Sequence, residues 1–194
     1  MYKNSNIWKN IYRMEEIMKT TGIIRRIDDL GRVVIPKELR KNFRIKNGDT
    51  LEVFVDGDAI VLKKYSPMES IEEIASKYVD SFNQVIKHNV VVCDKDKIIA
   101  VSGPLKKNYL GKNISEFTEH SIERRDSFVE RQKKEFSFVL GVEDFGYYSF
   151  SSIVNNGDTL GAVIVISLDK PILEFEEKMA VVLANLLSNK FNGE

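Results

Sequence analysis

Cysteine is nearly missing: Cys93 is the single one in 194 residues. An internal disulfide framework is thereby excluded, and a reducing cytoplasm is the expected compartment. Histidine is as scarce, with only His88 and His120, so no transition-metal site is expected. No apolar run approaches the roughly 20 residues that cross a bilayer, so neither a membrane span nor a secretory leader is expected. Net charge is also missing, with 29 Lys+Arg against 29 Asp+Glu. That balance hides an asymmetry. Residues 1–65 carry 14 basic side chains against 9 acidic, the remainder 15 against 20, and 19–47 alone 9 against 3. A basic first third joined to an acidic remainder predicts that the two parts meet different partners.

What is present is an ordinary globular composition, 43% hydrophobic and 30% charged. The first eighteen residues stand apart from it. Ile7, Ile11, Met14 and Met18 fit a helical stripe, but "MEEIM" can equally be encoded ATG-GAG-GAA-ATN-ATG, which contains a ribosome-binding GGAGGA. Translation is therefore expected to begin at Met18, with 1–18 as an extension.

From Lys19 the pattern is strand-like. "TTGIIRRID" reads as a strand, Asp28 to Gly31 as a turn, and "RVVIP" as a second strand that Pro36 ends. Pro36 also sits where the short helix "PKELRKNF" can start. Beyond the turn Asn47-Gly48-Asp49, Leu51, Val53 and Val55 alternate, Asp56-Gly57 turns the chain, and Ile60 and Leu62 return: a hairpin. The segment closes at Tyr65, with Ser66-Pro67 as its boundary. So short a segment, 19–67, has too little core to stand alone and is expected to dimerise with the strands of two chains interleaved. Arg25 and Arg26 would then end one strand and Arg32 begin the next. Arg40 and Lys41 lie on the helix and Arg44 just beyond it. Two-fold pairing doubles this set into one cationic surface, for which the phosphates of double-stranded DNA are the expected complement.

Residues 68–194 read as helix, two strands, a loop with a helix, three strands and a helix: an antiparallel sheet flanked by terminal helices, hence an α+β chain. Ile71, Ile74, Ala75, Tyr78, Phe82, Val85 and Ile86 give the helix over 68–87 its stripe, with Ser70 as cap. A charged helix is expected near 122–133. Asn155-Asn156-Gly157-Asp158 predicts a tight hairpin, and Met179, Val182, Leu183, Leu186 and Leu187 one face of the last helix. Cys93 falls in an apolar strand and is expected in the core. Phe136, Phe138, Tyr147, Tyr148 and Phe150 read as sheet core or interface. Ser102, Gly103, Lys106 and Lys107 either line an anion pocket or form a solvated loop, the commoner outcome. With no nucleophile–base spacing, phosphate-cradling glycine loop or metal cluster, no enzyme is expected.

"TGIIRRIDDLGRVVIPKELRKNFRIKNGDTLEVFVDGDAIVLKKYSP" closely resembles the SpoVT/AbrB DNA-binding domain of spore-forming bacteria, whose hallmark is "LGRVVIP" followed by "ELR". The resemblance covers 19–67 and implies a domain-swapped β-hairpin barrel. It also implies DNA contact through Arg25, Arg32 and Arg40. Lys41 stands where the founding regulator has a second Arg, a point charge in place of a planar fork. The order of elements over 68–194 resembles a GAF domain, in which a pocket between sheet and loops binds small ligands; no such ligand is assignable here. Family members with both parts are forespore-stage regulators that activate and repress sporulation genes. The resemblance thus implies a cytoplasmic homotetramer, built by swapped barrels at one end and by paired GAF-like domains at the other, and the helices 68–87 and 172–191 are expected to make that second pairing. An antitoxin sharing the swapped hairpin is the alternative, and it would require a disordered acidic tail.

Overall fold

The computed structural model describes residues 21–191; the stripe and start site expected within 1–18 lie outside them. The chain packs as two compact units, one ending at Asn47 and one beginning at Gly48.

In the first unit the chain turns at 28–31, where the Gly31 N–H donates to the Asp28 carbonyl at 2.9 Å. Helix α1 (Lys37–Asn42) follows, with Pro36 as its N-cap. Its far end is closed by two bonds, from the Ile45 N–H to the Arg40 carbonyl (2.7 Å) and from the Arg44 N–H to the Lys41 carbonyl (3.2 Å). Arg44 thereby takes the left-handed position that such a cap usually gives to glycine, with φ 52°. The strands expected on either side of the turn are not formed among the described residues of this single chain. Ile24 and Val34, which should alternate into a core, are 87% and 73% exposed. A strand persists when another backbone takes up its N–H and C=O groups and a second layer covers its apolar side. Within 21–36 the two arms are bonded at the turn, where the Asp28 N–H donates to the Arg32 carbonyl at 3.1 Å, and no second layer covers Ile24 or Val34.

The second unit opens with the expected hairpin, β1 (Leu51–Asp56) and β2 (Ala59–Lys64). Val53 pairs with Leu62, Val55 with Ile60 and Phe54 with Val61. Both faces of this ribbon therefore carry apolar pairs, and all six side chains are exposed. A 3-10 turn, Pro67–Ile71, leads into α2 (Glu72–Ile86). Ser70 does not cap that helix; its hydroxyl donates back to the Pro67 carbonyl at 2.7 Å.

β3 (Asn89–Cys93), β4 (Ile98–Ser102), β5 (Ser127–Val139), β6 (Val142–Asn155) and β7 (Asp158–Ser167) make one antiparallel sheet in the order β4-β3-β7-β6-β5. The turn between β6 and β7 is the one expected, with Asn156 and Gly157 both at positive φ. α2 and α5 (Glu174–Ser188) cover one face, so that Ala75, Val79, Leu183 and Leu187 share a core with Val90, Val92, Val163 and Val165. The other face, with Val91, Cys93, Ile164 and Ile166, lies under α3 (Lys106–Tyr109) and α4 (Glu116–Glu123). Burial on both sides is why β3 and β7 read as unbroken apolar runs. Gly161 belongs to that packing: a Cβ there would collide with the Cys93 carbonyl oxygen.

Two further expectations are corrected. Residues 122–133 are not a helix: α4 ends at Glu123, Arg125 adopts φ 60°, and β5 begins at Ser127. β5 is an edge strand, and the charges that suggested a helix stand on both its faces, Arg131 against Glu177 of α5 and Lys134 over the Tyr148 ring. Pairing with β6 decides the conformation over local preference. The last helix buries Ala180, Leu183, Ala184 and Leu187, with alanines where it lies close to the sheet. Val182 and Leu186, assigned to the same face, stay 44% and 40% exposed. With Phe175 they form a second, outward stripe, and Met179 is half-buried against the core.

Candidate nucleic-acid interface

All five cations singled out from sequence, Arg25, Arg26, Arg32, Arg40 and Lys41, lie in the first unit, and all are exposed. Arg40 and Lys41 occupy the last turn of α1, where positive charge is favoured by the partial negative charge of the helix end. Arg25 and Arg26 lie outside any helix or strand, and the Arg25 Nη1 donates to the neighbouring Ile24 carbonyl at 2.9 Å.

Arg32 is held most firmly. Asp28 Oδ1 accepts from the Leu30 N–H (3.0 Å) and the Arg32 N–H (2.8 Å), while Asp28 Oδ2 accepts from Arg32 Nε at 2.7 Å. The Arg32 backbone amide first, and its guanidinium second, hold the Asp28 carboxyl below the usual aspartate range. One carboxylate thus both folds the turn and fixes where the guanidinium stands. Sequence reading marked Asp28 as a turn residue and missed this second task, for which the four-residue spacing to Arg32 is the only signal. A planar guanidinium held at one edge is suited to phosphate or to a guanine edge.

In the second unit the Cys93 thiol is buried and donates to the Ala162 carbonyl (3.7 Å), and burial pushes its pKa up. It is core, as expected. Ser102 is buried, Lys106 and Lys107 are exposed, and Gly103 turns at φ 110° against the Asn89 side chain. The volume between sheet and α3–α4 is filled by rings: Phe138 contacts Phe136 (5.2 Å between centroids), Tyr148 (5.0 Å) and Phe117 (5.9 Å). Tyr109 donates to Asp144 at 2.6 Å from the same layer. Among the described residues no three His, Cys, Asp or Glu are grouped to hold a metal. No helix among them is long and apolar enough to cross a membrane.

The second unit has the fold of GAF domains. It is similar to the GAF domain of an Acinetobacter phosphoenolpyruvate-protein phosphotransferase, with TM-score 0.52 and 14% identity over 66% of this chain and 82% of that one. Two family descriptions match the sequence: "Stage V sporulation protein T C-terminal, transcription factor" over 70–192, and "Antidote-toxin recognition MazE, bacterial antitoxin" over 24–70. Stage V sporulation protein T of Bacillus subtilis is 47% identical over 175 residues, 89% of this chain and 98% of that protein. The transition state regulatory protein AbrB of the same organism is 58% identical over 50 residues, 26% of this chain and 52% of that protein. The chain belongs to the stage V sporulation protein T family.

Proposed function

We propose that this chain is a DNA-binding transcriptional regulator of sporulation genes that works in the cytoplasm of the forespore. The observation that carries the reading is the first unit's set of exposed cations, Arg25, Arg26, Arg32, Arg40 and Lys41, in a chain of this family. Residues 19–67 act as the DNA-binding module and 68–194 as the module that assembles and regulates it. Two copies pair through 19–67: pairing sets a second backbone beside 21–36 and covers the two apolar faces of the hairpin. Two such pairs join through the second unit, where Ile74, Tyr78, Phe82 and Val85 on α2 lie at helical spacing and the outward stripe of α5 is also exposed or half-buried. The product is a homotetramer that acts as activator or repressor according to where on the promoter it sits. The antitoxin reading fits less well, because a folded α+β unit stands where an unstructured toxin-wrapping tail would be needed.

Salt titration of DNA binding tests this reading. Each phosphate contact adds about 0.9 to the negative slope of log affinity against log salt, so Arg32→Ala should flatten that slope by about 1 for every copy that engages DNA. Wild-type slope and affinity in Arg32→Ala would remove Arg32 from the interface.

A further inference from the structure

Lys64 ends the hairpin, and its ammonium is directed at two carboxylates. Nζ lies 3.1 Å from Asp49 Oδ2 and 2.8 Å from Asp96 Oδ2. Asp49 precedes β1, while Asp96 belongs to the turn between β3 and β4. All three side chains are mostly buried, at 21%, 20% and 26% exposure. Burial works against the charge on Lys64, but Asp96 and Asp49 outweigh it and raise its pKa.

Two residues on, the Ser66 hydroxyl donates to Asp94 Oδ2 at 2.9 Å. Asp94 is 2% exposed, and its other oxygen accepts the N–H groups of Asp96 and Lys97, both at 2.7 Å. A single buried carboxylate therefore folds the β3–β4 turn and also holds the chain that leaves the hairpin. On the rim, Lys63 pairs with Glu69 at 2.8 Å, and Glu69 lies 3.8 Å from Lys97. Beside these contacts is a cleft of about 340 Å³ walled in part by Tyr65, Pro67 and Leu160. Isolated surface ion pairs contribute little, but these are partly buried, share partners and converge on one four-residue turn. A two-stranded ribbon cannot hold its own direction against the sheet, and pairing through 19–67 covers only its faces, so that direction is set by what grips its base.

We propose that the β3–β4 turn is a joint that fixes the base of the hairpin on the five-stranded sheet, which makes Lys64, Ser66, Asp94 and Asp96 positioning residues for DNA binding. None of them has to touch DNA. The joint gives the second unit a material route to the DNA-binding module: a change that tilts β3 against β4 moves the hairpin with it. The inference rests on the DNA-binding reading above for its consequence, and on geometry alone for the joint.

The test uses the full chain in three forms: wild type, Asp96→Lys, and the charge swap Lys64→Asp/Asp96→Lys. Amide hydrogen exchange is read over 51–64 and over the sheet, and DNA affinity is read against salt. In Asp96→Lys the joint predicts exchange over 51–64 about tenfold faster, with the sheet unchanged. It predicts DNA affinity about tenfold lower, at an unaltered salt slope because no phosphate contact is lost. The added positive charge by itself would tighten DNA binding, so the sign separates positioning from simple electrostatics. The swap should restore both readouts in part, since an acid at position 64 regains a partner at 96 but is repelled by Asp49. Unchanged exchange over 51–64, or DNA binding as tight or tighter in Asp96→Lys, overturns the proposal. A wild-type chain that bound no DNA would defeat the DNA-binding reading, and the exchange arm would still decide the joint.

Discussion

Residues 19–67 alone should hold duplex DNA about 100-fold less tightly than the full chain, the effect of losing a tethered second module. The reason is assembly and not lost contact, since every proposed DNA-contacting cation is retained in the piece. In the full chain Phe175, Val182 and Leu186 on α5 and Val85 on α2 are exposed, while Met179, Ile74, Tyr78 and Phe82 are half-buried against the core, and together they offer an apolar surface that a second copy can cover. Covering it ties two DNA-binding modules together, so that once one is bound the other meets DNA at a high local concentration. Binding curves for the two forms on a duplex carrying two sites measure this directly. On a duplex that holds a single module the difference should shrink to the roughly tenfold effect of losing the β3–β4 joint. Equal affinity on the two-site duplex would refute a role for the second unit in joint binding.

Phe138→Ala should be the most damaging single truncation in the second unit. Phe138 is fully buried, and its ring touches Phe136, Tyr148, Phe117 and Phe150. Its backbone carbonyl also accepts the Ser115 N–H at 3.0 Å and the Thr118 hydroxyl at 2.9 Å, so the strand and α4 are joined at this residue. Removing a buried Phe from a site that cannot collapse costs about 3–5 kcal/mol, a third or more of the stability of a typical domain. Calorimetry should record a fall in Tm of about 10–15 °C for a unit of this size. Phe117→Ala, at a ring 42% exposed, should cost far less. A Phe138→Ala protein melting within about 3 °C of wild type would mean that the ring layer is not the core of this face.

The parts legible in the sequence were those whose signal is local. Periodicity over 68–87 placed α2, and Asn156-Gly157 placed the β6–β7 turn, because a helix stripe and a positive-φ pair depend only on neighbouring residues. The first part of β5 was misread as helix since an edge strand tolerates charge on both its faces there, whereas Phe136 and Phe138 were legible as strand from their alternation. On α5 composition marked the apolar residues but could not say which stripe faces the sheet; Ala180 and Ala184 were chosen for close approach, a property visible only once the sheet is there. Around the candidate interface the cations and the 28–31 turn were legible, whereas the fixing of Arg32 by Asp28 was not. The joint was invisible altogether. Lys64 and Asp96 lie 32 residues apart, and Ser66 and Asp94 lie 28 apart, in segments that read as separate modules.

Sedimentation of residues 19–67 at low salt, without and with a short duplex, tests the central claim most directly. The account predicts a particle of two copies that moves onto the duplex as a pair and leaves it as salt is raised. A single-copy particle that leaves the duplex sedimenting free would contradict it.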